Sequence, residues 1–307
     1  MLQYLIILLD DTSTSFCHYE NNKTERRLIP IDILQQGIRF GMMENLMIQY
    51  VYPDYELPAE YSEVIESIDH SKIKPLKEDA DVVVSNGLSE VVAEVPFVLR
   101  ISQRELFDIK DKVTEILDRT PRLNVVITDV DTFTEEDFEK YKAFLQQLST
   151  KIEQMYVDGK APQLNLLTDR MMLTQMNNCG AGETSITLAP NGNFYVCPAF
   201  YYENEADSIG NLEHGLGIKN KQLYRLDHAP ICYHCDAYQC KRCIWLNRKM
   251  TREVNTPSHE QCVLSHLERN ASRELLQNIR KHGTFLPNQE EIKELDYLDP
   301  FDKREEW

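Results

Sequence analysis

The chain has little positive charge and no long apolar run. Its 307 residues include 33 Lys and Arg against 50 Asp and Glu, a formal net charge of -17. A surface that binds nucleic acid needs a clustered excess of basic side chains, so this balance argues against a nucleic-acid partner. The apolar runs all fall short of the ~18 residues that a membrane-spanning helix needs, so we expect no membrane partner.

Glycine and proline are also scarce, at 11 and 13 residues, and 42% of the chain is apolar. This composition is typical of a globular protein and excludes fibrous and disordered classes. The apolar residues 4–9 have no basic segment before them and no small-residue cleavage site after them, so they predict a buried strand rather than a signal peptide. We therefore expect a soluble, cytoplasmic protein, and in that reducing compartment clustered thiols bind metal more often than they form disulfides.

Short apolar runs rich in β-formers alternate with segments of helical period up to Thr168, a pattern that predicts parallel βα units. Ser102 with Glu105 is a capping box at the start of one helix, and Thr134 to Asp137 caps another. The six predicted strands are residues 4–9, 47–52, 81–85, 97–101, 123–128 and 163–167.

The composition changes after Asp169. An Asn-Gly pair, Asn191 and Gly192, lies between two β-rich runs, 184–188 and 194–197, and predicts a hairpin. Seven of the eight cysteines of the chain lie in this second part. They are Cys179, Cys197, Cys232, Cys235, Cys240, Cys243 and Cys262.

Four of these cysteines fall within twelve residues in the pattern C-x2-C-x4-C-x2-C, from Cys232 to Cys243. Thiolates converge at this density only if a positive centre offsets their repulsion, which predicts a soft metal site. Unligated buried thiols and disulfides are the weaker alternatives, and an odd number of clustered cysteines argues against complete disulfide pairing. The spacing leaves open whether the run binds one zinc ion or contributes to two iron-sulfur clusters.

The order and spacing of these residues resemble the SPASM domain, the auxiliary-cluster domain of radical S-adenosylmethionine (radical SAM) enzymes that modify peptides. The resemblance covers about ninety residues. The residues that carry it are Cys179, Gly192, Cys197, Ile209-Gly210-Asn211, the four-Cys run and Cys262. The chain departs from the family in the four-Cys run, where both later gaps are one residue shorter than in the usual C-x2-C-x5-C-x3-C.

The resemblance implies two 4Fe-4S clusters, with zinc in the four-Cys run as the alternative. One cluster would be bound by Cys232, Cys235, Cys240 and Cys262. The other would be bound by Cys179, Cys197 and Cys243, with a fourth position that is open or filled by His234, His259 or a substrate thiol. A structural or surface role is commoner than ligation for either imidazole.

The same family has a catalytic domain built as a partial barrel of six βα units, so the fold class we predict is α/β, a partial (β/α)6 barrel with a smaller Cys-rich metal-binding domain. The family's C-x3-C-x2-C motif after the first strand is absent. If Cys17 takes the third ligand place, the other two fall on Asp10 and Thr14, and one thiolate cannot hold that cluster.

The glycine turn that binds S-adenosylmethionine in the family is also missing from residues 52–58. We therefore predict a degenerate barrel that does not cleave S-adenosylmethionine. Cys17 is then a packing residue rather than a reactive thiol. The acid pair Asp10 and Asp11 ends the first strand, where barrel sites lie, but a loop or cap role is the simpler interpretation.

The whole chain also resembles the CXXX repeat peptide maturases, a bacterial family associated with peptides that carry cysteine every fourth residue. The predicted domains are 1–169, the degenerate barrel; 170–282, the SPASM-like domain; and 283–307, a charged tail. The resemblance implies maturation of a ribosomally made Cys-rich precursor peptide. Such a peptide, in extended form, could add as a strand at an exposed sheet edge, which needs no catalytic residue. The alternatives are a metal-dependent enzyme that acts on substrate cysteines, and a pseudoenzyme scaffold that brings a partner enzyme to the peptide.

Overall fold

The computed structural model describes residues 1–75, 78–87 and 94–300. The last residues of the predicted tail, 301–307, therefore lie outside the described part of the chain. The strands are β1 (Tyr4–Leu8), β2 (Met47–Val51), β3 (His70–Lys74), β4 (Val82–Asn86), β5 (Phe97–Ile101), β6 (Leu123–Ile127), β7 (Ser185–Leu188), β8 (Phe194–Tyr195), β9 (Gly210–Asn211) and β10 (Gly215–Leu216). The α-helices are α1 (Ile31–Met43), α2 (Ala59–Ile65), α3 (Gln103–Asp108), α4 (Lys110–Leu117), α5 (Glu135–Val157), α6 (Thr168–Met172), α7 (Pro198–Glu203), α8 (Ile244–Thr251) and α9 (His259–His282).

The chain forms two compact units. The first consists of residues 1–84 and 180–228, and the second of residues 85–179 and those from 229 onwards. Each unit therefore combines part of the βα region with part of the Cys-rich region. The predicted domain boundaries after residues 169 and 282 stay predictions.

In the first unit, β1 lies between β2 and β7 and is parallel to both, with Tyr4 level with Met47 and with Ser185. The strands β2, β3 and β4 continue the parallel order. Alternate residues of a strand face the same side, and Leu5 and Ile7 of β1 pack with Leu34 and Ile38 of α1 in a buried core. The predicted Asn-Gly hairpin is confirmed, since β8 pairs antiparallel with β7.

In the second unit, β5 and β6 pair in parallel, with Phe97 level with Leu123. The long helices α5 and α9 pack against each other. Thr134 caps α5 as the sequence predicts, and Ser258 caps α9 through the backbone N–H of Gln261 at 3.3 Å. The second unit thus holds α9 firmly by its first turn, where Cys262 lies.

One predicted strand is wrong, and one strand of the structure was not predicted. Residues 163–167 form one bridge, between Leu164 and Leu123, and not a sixth strand. The parallel strand that the sequence did not predict is β3, whose sequence His-Ser-Lys-Ile-Lys has no apolar run. Its Lys72 is 8% exposed because Glu66 and Asp79 both pair with the ammonium group, so tertiary charge pairing outweighs the polar sequence.

The outermost strands have their outer edges covered. The backbone N–H of Ile209 donates to the Phe194 carbonyl of β8 at 2.8 Å. On β6, the Asn165 side chain bonds both the N–H and the carbonyl of Val125, at 2.8 and 2.9 Å. At these positions a peptide strand would have to displace the chain itself, so the structure gives no support to strand addition there.

The predicted fold class is confirmed: the chain is α/β, with a parallel sheet that resembles a partial radical SAM barrel and a Cys-rich C-terminal region. Within the described ranges, none of the helices combines the length and the apolar character that crossing a membrane demands.

Candidate metal centre

Four thiols surround one small cavity in the second unit, which we call the thiol pocket. Cys232 begins a short 3-10 helix, Cys235 and Cys240 belong to the loop after it, and Cys262 lies in the first turn of α9. The cavity has a volume of about 30 Å³, more than the roughly 10–15 Å³ that one buried water needs. Apolar side chains, among them Met176 and Ile231, complete its wall.

The backbone of the loop points N–H groups at two of the sulfurs. The Ala237 N–H lies 3.4 Å from Cys235 Sγ, and the Arg242 N–H lies 3.4 Å from Cys240 Sγ. Each donor lies two residues after its cysteine, so the chain makes matching turns after Cys235 and after Cys240. Arg242 reaches this position with φ at +47°, a left-handed conformation that costs a residue other than glycine about 1–2 kcal/mol. The loop thus accepts backbone strain to present an N–H to a sulfur.

Burial keeps these thiols protonated. It raises the pKa of Cys235 to about 11 and that of Cys232 to about 12, and neighbouring cysteines contribute to both shifts. Burial also raises the pKa of Cys240 and of Cys262. Because a metal binds the thiolate and not the thiol, metal binding in the pocket must release protons. The metal must also supply positive charge that offsets the buried thiolates.

An aspartate inside the loop is clamped by two buried arginines. Arg269 of α9, 1% exposed, bonds both carboxylate oxygens of Asp236 at 2.9 and 2.7 Å. Arg170 donates to the Asp236 backbone carbonyl at 2.6 Å. Since Asp236 follows Cys235 directly, this bidentate contact fixes the loop against α9. The positive charge of Arg269 also favours the thiolate of Cys235.

The donor set of the pocket fits a metal-thiolate centre. Four thiols with N–H···S contacts, buried arginines nearby and apolar walls are what zinc or an iron-sulfur cluster uses. In the described positions, no three His, Cys, Asp or Glu side chains are already gathered at single-ion distance. The choice between zinc and a cluster therefore stays open.

Four of the seven predicted ligands line the thiol pocket, and the other three do not. Cys243 is the N-cap residue of α8. Cys179 is exposed, and its backbone N–H donates to the Lys241 carbonyl at 3.0 Å. Cys197 is the N-cap residue of α7, in the other unit. The second predicted ligand set stays a prediction.

The imidazole that lies beside the thiols is one that the sequence interpretation missed. His266 lines the thiol pocket, and its Nε2 lies 3.5 Å from Cys235 Sγ. Of the two predicted candidates, His259 pairs with Asp299 and Glu135, and His234 packs edge-on against Tyr233. The signal was present in the sequence, because Cys262 and His266 are four residues apart and one helical turn separates them.

The loop after β1 carries a different cluster, which we call the Asp11 network, built around the buried Asp11 carboxylate. The Asp11 carboxylate is paired with Arg27 Nε at 2.8 Å and accepts a hydrogen bond from Tyr201. Lys23 lies 3.8 Å from the same carboxylate, and Glu205 pairs with both cations. Burial, followed by the bond to Asp11, raises the pKa of Tyr201 well above its usual value. Within the network, the positive charges of Lys23 and Arg27 balance the negative charges of Asp11 and Glu205.

Asp10 has the predicted loop role, since its Oδ1 accepts a hydrogen bond from the Thr12 N–H at 2.8 Å. The Thr14 N–H donates to the Tyr52 carbonyl at 3.0 Å. Cys17 is partly buried. A carboxylate, a hydroxyl and one thiol do not fit a cluster that needs three thiolates.

Comparison with solved structures finds similarity across almost the whole chain. A histidine-tagged form of anSMEcpe, described with bound AdoMet, has a TM-score of 0.65 at 11% identity, over 92% of this chain and 96% of that chain. Native anSMEcpe, described with bound AdoMet and Cp18Cys peptide, has a TM-score of 0.63 at 10% identity, over 92% and 100%. The chain thus has the fold of radical SAM/SPASM enzymes. No protein-family model matches it, and no curated protein matches it.

Proposed function

We propose that this protein is a maturation factor for a ribosomally synthesised Cys-rich peptide of the CXXX repeat type, and that it binds the peptide without radical SAM chemistry. The observation that carries the proposal is the contrast between the thiol pocket and the Asp11 network. The thiol pocket retains four metal-binding side chains, while the loop after β1 is closed by the Asp11 network.

The peptide part of the proposal is supported by the fold. A chain of the same fold is described with a bound peptide, Cp18Cys, together with AdoMet. A peptide with repeated cysteines is a suitable ligand for a protein with metal sites, because its thiols can bind soft metal centres. With the edges of β6 and β8 covered, the proposed binding does not use strand addition at those positions.

The metal part of the proposal follows the donor sets. Cys232, Cys235, Cys240 and Cys262 would hold one 4Fe-4S cluster, with zinc as the alternative. Cys179, Cys197 and Cys243 would hold a second. A metal centre bound in the thiol pocket supplies the positive charge that stabilises four buried thiolates, and the chain's own arginines and N–H groups hold the loop around it.

A peptide-binding measurement tests the proposal. A fluorescent peptide with four CXXX repeats is titrated with anaerobically purified protein, and a matched peptide with serine at each cysteine position is the control. We expect the serine peptide to bind at least about tenfold more weakly, a loss of about 1.4 kcal/mol. Equal affinity for the two peptides would contradict recognition of cysteine.

Calorimetry with S-adenosylmethionine tests the second half of the proposal. We expect no measurable binding, because the residues at the cluster position provide one thiol. Stoichiometric binding, or cleavage to methionine under reducing conditions, would overturn the proposed loss of radical chemistry.

A second candidate function is favoured by one observation, the exposure of Cys179. A ligand of the second centre that faces solvent would let a substrate cysteine approach that metal, as in an enzyme that acts on thiols. Incubation of the protein with its precursor peptide separates the candidates. A peptide mass shift that is lost in Cys179→Ala favours the enzyme, and an unchanged mass favours the binding factor, alone or as a scaffold for a partner enzyme.

A further inference from the structure

Five donors, rather than four, face the thiol pocket. His266 lies one turn after Cys262 on α9, and side chains four residues apart on a helix share a face. The imidazole is 3% exposed and lines the same cavity as the four thiols. Its Nε2 lies 3.5 Å from Cys235 Sγ.

The distance between Cys235 Sγ and His266 Nε2 is typical of two ligands that bind the same metal ion. Zn–S bonds of about 2.3 Å and Zn–N bonds of about 2.0–2.1 Å at a tetrahedral angle place sulfur and nitrogen about 3.5–3.6 Å apart. The same distance also suits an S–H group that donates to Nε2, so the imidazole and the thiol are in contact whether or not metal is bound. The nitrogen therefore lies at the distance of a neighbouring ligand of the same ion, and it could bind that ion when the sulfur is lost.

The surroundings of the ring restrict its orientation. Tyr297 packs edge-on against it with ring centroids 5.8 Å apart. The backbone of Leu298 interacts with the ring, although Nδ1 forms no hydrogen bond of ordinary length and angle to the described residues. Metal-binding imidazoles are commonly oriented by a backbone carbonyl on the second nitrogen, and Leu298 is the group positioned for that role.

We propose that His266 is a fifth donor of the metal centre and takes the coordination position of Cys235 when that thiol is absent or engaged elsewhere. The inference rests on the proposed metal centre of the thiol pocket. Cys235 is the replaceable cysteine because its sulfur is the one in contact with the imidazole. In the described lining of the pocket, no second imidazole and no carboxylate is present to replace Cys232 or Cys240 in the same way.

Metal retention in a set of variants tests the inference. Iron, sulfide and zinc are measured in anaerobically purified wild type, Cys235→Ala, Cys232→Ala, His266→Ala and the double variant Cys235→Ala/His266→Ala. We expect Cys235→Ala and His266→Ala to keep most of the metal and Cys232→Ala to lose it. The double variant should bind metal at least about tenfold more weakly than Cys235→Ala.

Cobalt loading provides a readout of the ligands themselves. In Co²⁺-loaded Cys235→Ala, thiolate-to-cobalt absorption should fall from the wild-type level to that of three sulfurs, and His266→Ala alone should not lower it. If Cys235→Ala loses as much metal as Cys232→Ala, or if the double variant equals Cys235→Ala, the fifth-donor role is wrong. If the wild type binds no metal, the proposed metal centre itself fails.

Discussion

The thiol pocket and the Asp11 network both contain buried polar side chains, but they balance charge in opposite ways. Around Asp11, the carboxylates face Arg27 and Lys23, so each buried charge has a partner within the protein. In the thiol pocket, burial raises the pKa of all four thiols, and the cluster is neutral until a cation enters. A buried charge must be paired or neutralised. The first cluster is therefore complete as folded, and the proposed metal would complete the second.

Under the proposed function, this difference accounts for a fold that keeps one metal region and loses another. A loop that supplies its own counter-charges no longer needs a cluster to hold it. A loop held by N–H···S contacts and a buried arginine clamp still presents thiols to a metal. The following experiments change one region at a time, from the largest expected effect to the smallest.

Metal removal should affect the thiol pocket and leave the Asp11 network unchanged. Structural zinc contributes about 10–16 kcal/mol of apparent binding free energy in small metal-dependent folds, so chelation should greatly increase hydrogen exchange in residues 229–243. Residues 10–27, which include the Asp11 network, should keep their protection. Segment-resolved hydrogen exchange with and without chelator measures both, and equal loss of protection in the two segments would contradict the comparison.

Arg269→Gln should destabilise the second unit by about 3 kcal/mol, because breaking a buried ion pair leaves an uncompensated charge. Arg170 stays within 3.4 Å of Asp236 and limits the loss. The matched control is Arg225→Gln, whose pair with Asp227 has side chains 50% and 43% exposed, and which should change stability by less than about 1 kcal/mol. Urea unfolding measures both variants. Similar effects in the two would show that the clamp is not structural.

Asp11→Asn should lower the free energy of unfolding by about 1–3 kcal/mol, since Arg27 and Tyr201 lose a buried charged acceptor. Metal content should stay at the wild-type level. Glu205→Gln, at a side chain 45% exposed, is the control and should cost less than about 1 kcal/mol. A fall in bound metal in Asp11→Asn would mean that the network belongs to a metal site.

The His259 pair should give the smallest effect, and one that depends on pH. Asp299 raises the pKa of His259 against the opposing effect of burial, so its stabilisation is fully present below the unfolded value of about 6.5 and is lost as pH rises through the folded value. With the side chain 40% exposed, His259→Gln should cost at most about 1 kcal/mol at pH 6 and nothing at pH 9. Urea unfolding at the two pH values checks this. A larger loss of stability in His259→Gln at pH 9 than at pH 6 would show that the neutral ring, and not the charged one, stabilises the protein.

The sequence predicts the parts of the fold that local patterns determine. Apolar runs locate β1, β2 and β5 to within a residue or so, and the Asn-Gly turn locates the β7–β8 hairpin. It missed β3, because Lys72 is buried only through partners on other elements. It also gave no sign that β7 would join β1 in the main sheet, since strand order depends on long-range packing.

For the site, the cysteine spacing indicated a metal site in the four-Cys run, and the resemblance to the SPASM domain named the four thiols that line the pocket. Neither indicated the arginine clamp or His266. Asp236 and Arg269 are 33 residues apart in the chain, and no local pattern connects them. Cys262 and His266 do form a helical pair, but the pattern predicts a shared face and not what that face contacts. The Asp11 network likewise joins the loop after β1 to Tyr201 across 190 residues.

The central claim is that the protein binds metal in the thiol pocket and not in the loop after β1. Iron, sulfide and zinc per chain, measured in anaerobically purified wild type, Cys232→Ala and Cys17→Ala, test it most directly. We predict stoichiometric metal in the wild type, an unchanged content in Cys17→Ala and loss of at least one centre in Cys232→Ala. A wild type without bound metal, or a loss in Cys17→Ala that matches the loss in Cys232→Ala, would contradict it.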